Sequence, residues 1–264
     1  MASMKRWAGL GLGTALLGTS LVACGGDHGE AGESGEAAMT AAEPAGEMGE
    51  GEGGEGEGGE GSQASGGMDT LPVPKRLAFM SGHVEAGLAL YRAGEPQLAA
   101  PHLLHPVSET HQAERAGLDA LGFTPDVFAQ VSTALEEGRP AEEIEPLLTA
   151  AEQNLADMAA AAGGQPAEII RYLMDVMVEE YTVAVTDGQV TDPREYQDAY
   201  GFAVVAMDRA EDLDDAHRQD VKDELSTLIG YWPEGAPMAP AEPSPVGQIA
   251  AQASRVVLAL PSTE

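Results

Sequence analysis

Apolar residues recur at helical rather than strand spacing over the C-terminal three quarters of the chain. From residue 69 onward, Ala, Leu, Glu and Gln are spaced three and four apart, whereas alternating runs of β-branched and aromatic residues are scarce. The pattern predicts an all-α helical bundle, built from antiparallel helix hairpins, over residues 69–264. This length suffices for one substantial core or two small helical units, with a possible subdivision near residues 163–166.

Prolines and acidic residues in first turns, and glycines after last turns, punctuate the pattern and set the predicted helices. The Pro-rich stretch over residues 231–247 predicts irregular structure. The approximate helix bounds are 77–93, 96–105, 106–121, 123–138, 140–162, 167–186, 193–213, 214–229 and 248–260.

The N-terminus predicts export followed by lipid anchoring. Residues 1–23 begin with two basic residues and continue as a short apolar run that ends in small residues, which is typical of a signal peptide rather than of a membrane span. Leu21-Val22-Ala23-Cys24 resembles the lipobox of bacterial lipoproteins, in which the signal is cleaved before the cysteine and that cysteine receives the lipid. The resemblance implies a membrane-anchored protein of the cell envelope, on the periplasmic face or the cell surface.

Residues 24–68 predict a disordered acidic tether. They consist mainly of Gly, Glu, Ala and Ser, and so they have almost no apolar side chains with which to offset the entropy of ordering. Cys24 is the single cysteine, so no disulfide within the chain supports the folded part. Residues 69–264 carry 33 acidic and 11 basic side chains. Such acidity argues against nucleic acid and anionic headgroups as partners.

Three of the six histidines fall within residues 99–111, and His83 lies one predicted helix upstream. His83 precedes the predicted turn residue Gly94 by eleven positions, and His105 follows it by eleven. Equal distances from the turn of an antiparallel hairpin place two residues at about the same height. We therefore expect His83 and His105 to face each other.

The same helices bring further metal donors within reach. His102 lies one turn before His105, and Glu109 lies one turn after it if the helix continues, kinked, past the intervening proline. Gly87, one turn from His83, would let the two helices approach closely. Imidazoles and a carboxylate that converge from two helices suit iron, copper or zinc. The predicted ligands are His83, His102, His105 and Glu109.

A second interpretation of these histidines needs no metal. His102 and His105 lie in a last helical turn, where a histidine stabilises the helix dipole and bare carbonyls. His83 could be a core histidine with a satisfied ring. We expect His111 to point elsewhere and His217 to be solvated. No Cys-x-x-Cys-His sequence is present, which excludes covalently attached haem.

A second polar segment occupies residues 172–202. Glu180 lies beside an apolar stripe, where an unpaired carboxylate is costly, and Glu195 begins the helix that follows the turn at Asp187 and Gly188. One interpretation is a site for a hard cation, and the other is an ion-paired junction with Arg171 or Arg194. The residues of this possible second acidic site are Glu180, Tyr181, Glu195 and Tyr196.

This segment resembles the extracytoplasmic helical segment that precedes the membrane part in bacterial relatives of the high-affinity ferric permease. The residues that carry the resemblance are Glu180-Tyr181, Ala184-Val185, Gly188, Val190 and Glu195-Tyr196. The His102, His105, Pro106 and Glu109 pattern resembles small exported bacterial proteins that share the later segment. The chain lacks a multi-span membrane region and the permease motif Arg-Glu, two hydrophobic residues, Glu. The resemblance therefore implies an accessory iron binder rather than a permease.

Two functions follow as hypotheses. The first is a lipid-anchored extracytoplasmic metal-binding accessory protein of iron uptake or handling, with iron favoured over copper or zinc and a metal permease or other envelope protein as partner. The alternative is an anchored helical scaffold without a metal, whose first hairpin has the spacing of a tetratricopeptide-like helix pair. An enzyme is a third hypothesis. The sequence shows no nucleophile–base pairing and no phosphate loop, but the histidines and acids could still form an oxygen-activating metal centre.

Overall fold

Eight α-helices carry the described part of the chain, which in this computed structural model comprises residues 71–108, 115, 117–233 and 237–262. These residues all belong to one compact unit, residues 54–264. The predicted signal peptide, Cys24 and the tether lie outside the described residues, as do Glu109 and His111. The helices are α1 (Val73–Arg92), α2 (Pro96–Leu104), α3 (Pro125–Glu136), α4 (Ala141–Ala162), α5 (Pro166–Ala184), α6 (Pro193–Ala210), α7 (Arg218–Ile229) and α8 (Val246–Ala259).

The predicted all-α class is confirmed, and eight of the nine predicted helices are present with ends that differ by a few residues. The predicted helix over residues 106–121 is wrong. His105–Val107 forms one 3₁₀ turn, after which Ser108 is extended, and Asp119–Leu121 forms another. Gly117 and Gly122 have left-handed φ angles of 87° and 86°, which a continuous right-handed helix does not allow.

The helices enclose two apolar cores that adjoin along α1. One core holds buried residues of α1 to α4, including Leu88, Phe128 and Met158. The other is formed by α5 to α8, with Ala78 and Phe79 of α1 packed into it. The switch from one core to the other follows the link between α4 and α5, at residues 163–165.

A tight hairpin sets the register between α5 and α6. Strand β1 (Val185–Thr186) pairs antiparallel with β2 (Gln189–Val190). Asp187 and Gly188 form the two-residue turn with φ angles of 52° and 75°, which is the conformation that Asp-Gly favours in hairpins. Asp192 then caps α6 by accepting hydrogen bonds from the Arg194 and Glu195 amides. The hairpin therefore aligns the last turns of α5 with the first turns of α6.

Glycines allow α1 to lie unusually close to its neighbours. A Cβ on Gly201 of α6 would lie 2.0 Å from the Gly82 carbonyl oxygen of α1, and one on Gly82 would lie 2.1 Å from the Phe202 ring. A Cβ on Gly87 would lie 3.1 Å from the Ala99 carbonyl oxygen of α2. These contacts confirm the expectation that Gly87 permits close approach, and they hold α2 and α6 against α1 on either side of His83.

The helices in the described ranges were also compared with the dimensions of a bilayer. None of them combines the length and the apolarity that a membrane crossing requires.

Candidate metal centre

Three polar side chains from three helices meet beside the close contacts of α1. The Nδ1 atom of His83 lies 2.9 Å from Oδ1 of Asp198, and the Nδ1 atom of His102 lies 2.8 Å from the same oxygen. The candidate donor atoms of the three residues all lie within 4.8 Å of one another. We call His83 of α1, His102 of α2 and Asp198 of α6 the His-Asp centre.

The His-Asp centre is buried, with 4% of His83, 5% of His102 and 6% of Asp198 exposed. Burial alone would raise the pKa of Asp198, but the two imidazoles and their hydrogen bonds hold it well below its usual range. Burial lowers the pKa of His102, but the Asp198 charge and hydrogen bonds to Asp198 and Gln197 outweigh that effect and raise it. The carboxylate is therefore ionised, and His102 is held towards its protonated form.

Gln197 fixes the orientation of the His102 ring. Its Oε1 atom lies 2.8 Å from Nε2 of His102, so both ring nitrogens of His102 face oxygen atoms. A ring that donates Nε2–H to Gln197 can present the Nδ1 lone pair to a metal once the Nδ1 proton has left. Gln197 thereby selects the tautomer that metal binding at Nδ1 requires.

His105 joins the cluster by stacking. Its ring lies parallel to that of His83, with centroids 3.5 Å apart and an interplanar angle of 12°, which confirms that the two histidines face each other. Phe79 and Phe202 pack edge-on against His83 with centroid distances of 4.7 and 5.2 Å. His105 lies outside the group whose donor atoms fall within 4.8 Å. In this arrangement its ring packs against that of His83.

The described histidine outside this cluster, His217, is solvent-exposed as predicted. It contacts Asp214 at 2.9 Å, and 39% of the His217 side chain and 61% of the Asp214 side chain are exposed. This exposed pair has nearly the same nitrogen–oxygen distance as the buried pairs. It therefore provides an exposed counterpart of the buried pairs, in which Asp214 also accepts hydrogen bonds from the Ala216 and His217 amides.

The carboxyl groups of the predicted acidic site form a pair beside the His-Asp centre. Glu180 and Glu195 are equidistant from the Asp187–Gly188 turn, and their side chains are hydrogen-bonded. Burial raises the pKa of Glu195, the hydrogen bond to Glu180 opposes this rise, and the charge of Asp198 adds to it. The Glu180 and Glu195 carboxyl groups therefore favour sharing one proton. The negative charge that the pair keeps lies close to that of Asp198.

The two tyrosines of the predicted acidic site belong instead to an aromatic cluster with Trp232. Their rings lie 5.5 Å apart, and those of Tyr181 and Tyr196 lie 5.4 and 5.9 Å from Trp232. The Tyr181 hydroxyl donates to the Ser244 carbonyl oxygen at 2.8 Å. Burial raises the pKa of Tyr181 to about 12. Tyr181 and Tyr196 thus support the packing of α5 and α6 behind the carboxyl pair.

One interpretation of the acidic segment predicts an ion pair with Arg171. Arg171 makes other contacts instead. Arg171 lies 3.7 Å from Glu168, one turn before it on α5, and donates hydrogen bonds to the Val257 and Pro261 carbonyl oxygens. It therefore joins α5 to the end of α8. Arg194 is exposed at the start of α6.

Comparison with protein families addresses the C-terminal part of the chain. Residues 163–260 match the family model of the iron permease-associated 4-helix bundle domain. The four helices of this permease-associated bundle are α5 to α8. The match confirms the resemblance predicted from residues 180–196, which lie within it. No curated protein and no solved structure matches the chain significantly.

The His-Asp centre straddles the boundary of the matched region. Asp198 belongs to the permease-associated bundle, as do Gln197 and the carboxyl pair, whereas His83 and His102 come from helices that precede it. The centre is therefore assembled where α1 and α2 pack against α6. Neither part of the chain supplies it alone.

Sequence reasoning found the two histidines of the centre but not their carboxylate. Asp198 lies in α6 among the buried residues Tyr196, Ala199 and Phe202. A carboxylate on the apolar face of an amphipathic helix requires a partner, and this signal is present in the sequence. Glu109, the carboxylate predicted in its place, lies outside the described residues.

Proposed function

We propose that the protein is a lipid-anchored, extracytoplasmic accessory protein of iron uptake that binds iron at the His-Asp centre. The primary ligands are His83, His102 and Asp198. His105 and Glu109, from the sequence prediction, are further candidate donors. The single observation that carries the proposal is the convergence of two imidazole nitrogens on one buried carboxylate, against a bundle of a family named for its association with iron permeases.

The donor set favours iron over other first-row metals. Two imidazoles and one carboxylate that leave coordination positions open are a recurring ligand set of non-haem iron(II). Thiolates, which favour copper(I) and zinc, are missing because the single cysteine lies at residue 24. Asp198 contributes a full negative charge, which partly offsets the cost of burying a divalent cation.

Metal binding would replace protons that now bridge the three residues. The Nδ1 atoms of His83 and His102 both lie within hydrogen-bond distance of Asp198 Oδ1. An ion placed between them would take over these contacts. Each Nδ1 proton would pass to Nε2 of the same ring or, from a doubly protonated ring, to solvent, since neutral imidazole and carboxylate are the ligand forms. Rotation of the three side chains would suffice for this, because the helices already hold their donor atoms within 4.8 Å of one another.

The N-terminal sequence supports the location and the partner. Signal peptide cleavage before Cys24 and lipidation of that residue would hold the bundle at the membrane through the acidic tether. A metal permease in the same membrane is the partner that the family match supports. The scaffold alternative expects solvent-facing or capping histidines. His83, His102 and His105 are buried, and both ring nitrogens of His102 face side-chain oxygens of α6 rather than the carbonyl oxygens of its own helix end.

Metal titration of the mature chain, residues 24–264 with Cys24→Ser to prevent lipidation, tests the proposal. We expect about one equivalent of iron(II) under anaerobic conditions, with affinity reduced at least about 100-fold by His83→Ala or His102→Ala. His217→Ala is the matched control and leaves binding unchanged. If iron, copper and zinc all fail to bind, or bind equally to the His83→Ala His102→Ala double variant, the proposal is wrong.

Membrane fractionation tests the anchor separately. We expect the full chain to partition with membranes and to incorporate labelled palmitate, and the Cys24→Ser variant to incorporate none. If the full chain incorporates no palmitate, or the variant incorporates as much, the lipid anchor is wrong and the metal proposal is untouched.

A further inference from the structure

A cleft of about 570 Å³ lies on the face of α1 opposite the His-Asp centre. Ser81 and Glu85 of α1 line it, and each is two positions from His83, which corresponds to about 200° around a helix. Its other walls come from α4, the Gly163–Gly164 link, the start of α5 and the end of α6. The volume falls within the usual range for small-molecule sites.

The cleft combines apolar walls with acidic groups. Leu155, Ile169 and Val205 provide the walls together with three alanines of α4. The acidic residues are Glu85, Glu152, Asp208 and Asp212, against the single basic residue Arg209. Glu152 is already paired with Arg92 at 2.7 Å.

Glu85 lines the cleft and is half-buried. Within the described ranges it forms no hydrogen bond or ion pair; Asp208 and Glu152 add negative charge nearby, and Arg92, which is paired with Glu152, adds positive charge. A carboxylate held away from water without a partner is costly. A cation bound in the cleft would offset that cost.

The chemistry of the cleft selects among cations. A bare metal ion needs several ligands close together. Among the described residues, such a group of three or more potential ligands, with donor atoms within 4.8 Å of one another, is the His-Asp centre. The acidic residues of the cleft do not form such a group, so they offer no cage for a bare metal ion. The tether cannot fill the cleft by charge attraction, because residues 24–68 contain 11 acidic residues and no lysine or arginine.

We propose that this cleft binds a small organic ammonium ion, with the ammonium group at Glu85 and its apolar body against Leu155, Ile169 and Val205. Asp208 and Asp212 at the rim would hold a second ammonium group. This site is separate from the His-Asp centre and does not depend on metal binding.

Titration of the mature chain with hexylamine and 1,6-diaminohexane, followed by NMR of methyl groups, tests the proposal. Both amines shift the methyl signals of Leu155, Ile169 and Val205, and the neutral 1-hexanol does not. Glu85→Gln weakens the binding of both amines at least about tenfold, as expected for one lost charge-assisted hydrogen bond. Asp212→Asn weakens the diamine more than hexylamine.

Two controls separate the proposal from general electrostatics and from misfolding. Glu143→Gln, on the exposed first turn of α4, leaves amine binding unchanged. Circular dichroism verifies that Glu85→Gln is folded, and Asp212→Asn changes an exposed side chain. The proposal is overturned if no cleft signal shifts, if 1-hexanol binds equally well, if Glu85→Gln has no effect, or if magnesium chloride displaces the amine at equal ionic strength more effectively than potassium chloride.

Discussion

Replacement of Gly201 by alanine should force α1 and α6 apart and destabilise the protein. The added Cβ would lie 2.0 Å from the Gly82 carbonyl oxygen, 2.9 Å from its carbonyl carbon and 3.0 Å from the Ala86 amide nitrogen. All three atoms belong to the backbone, so no side-chain rotation relieves the clash. The helices must separate by roughly 1 to 1.5 Å to restore ordinary contact distances.

The magnitude follows from two opposing effects. Overpacking costs about 1–3 kcal/mol, and a clash with backbone belongs at the upper end of that range. Alanine is better than glycine in a helix by about 1 kcal/mol, which opposes the loss. We therefore expect Gly201→Ala to lower the free energy of unfolding by about 2 kcal/mol.

Urea unfolding followed by far-ultraviolet circular dichroism measures this change. Gly247→Ala is the control, because a Cβ there meets nothing within 4 Å, and we expect it to leave stability unchanged or slightly raised. If Gly201→Ala unfolds at the same or a higher urea concentration than the wild type, the two helices do not approach as described. The same separation would pull His83 away from Asp198, so iron affinity should fall as well.

Three further predictions concern single side chains. Asp198→Ala should lower the free energy of unfolding of the metal-free protein by about 3–5 kcal/mol in urea denaturation, since it leaves buried histidines without their acceptor. His217→Ala, which removes the exposed pair and leaves the backbone hydrogen bonds to Asp214 in place, should lower it by only a small fraction of that amount. Gln197→Leu should reduce iron affinity about 10- to 100-fold in metal titration because it frees the His102 ring, and unchanged affinity would refute that role. Burial, followed by the charge of Asp208, raises the pKa of Glu85 to about 7. The raised pKa stabilises the folded wild type by an amount that is complete below about pH 4.5 and is lost as pH rises through 7. Glu85→Gln does not undergo this loss, so its free energy of unfolding should rise by about 2 kcal/mol relative to that of the wild type between pH 5 and pH 8. If the two free energies of unfolding, measured in urea, change in parallel over this range, the prediction is wrong.

Local sequence signals were sufficient for most of the helices. Prolines at first-turn positions predicted the starts of α2, α3, α5 and α6 to within a few residues. Glycines predicted the ends of α1, α3 and α4. The prediction of a helix over residues 106–121 is wrong because it rests on helical spacing alone, and the segment contains Gly117. That glycine adopts a left-handed φ, which a spacing pattern alone does not reveal.

The His-Asp centre was only half predictable. The contact between His83 and His105 follows from one local hairpin, whose turn sets the register. Asp198 reaches the same point through the packing of α6 on α1, across more than a hundred residues of sequence. That contact depends on Gly82 and Gly201 lying opposite each other, and no periodicity within either helix identifies the partner.

Anomalous diffraction at the iron absorption edge, from crystals of the mature chain grown anaerobically with iron(II), tests the central claim most directly. We expect one strong peak at about 2.0–2.2 Å from the Nδ1 atoms of His83 and His102 and from a carboxylate oxygen of Asp198. A peak at His217 or elsewhere on the surface, or crystals in which His83, His102 and Asp198 remain joined by hydrogen bonds at saturating iron, would contradict it.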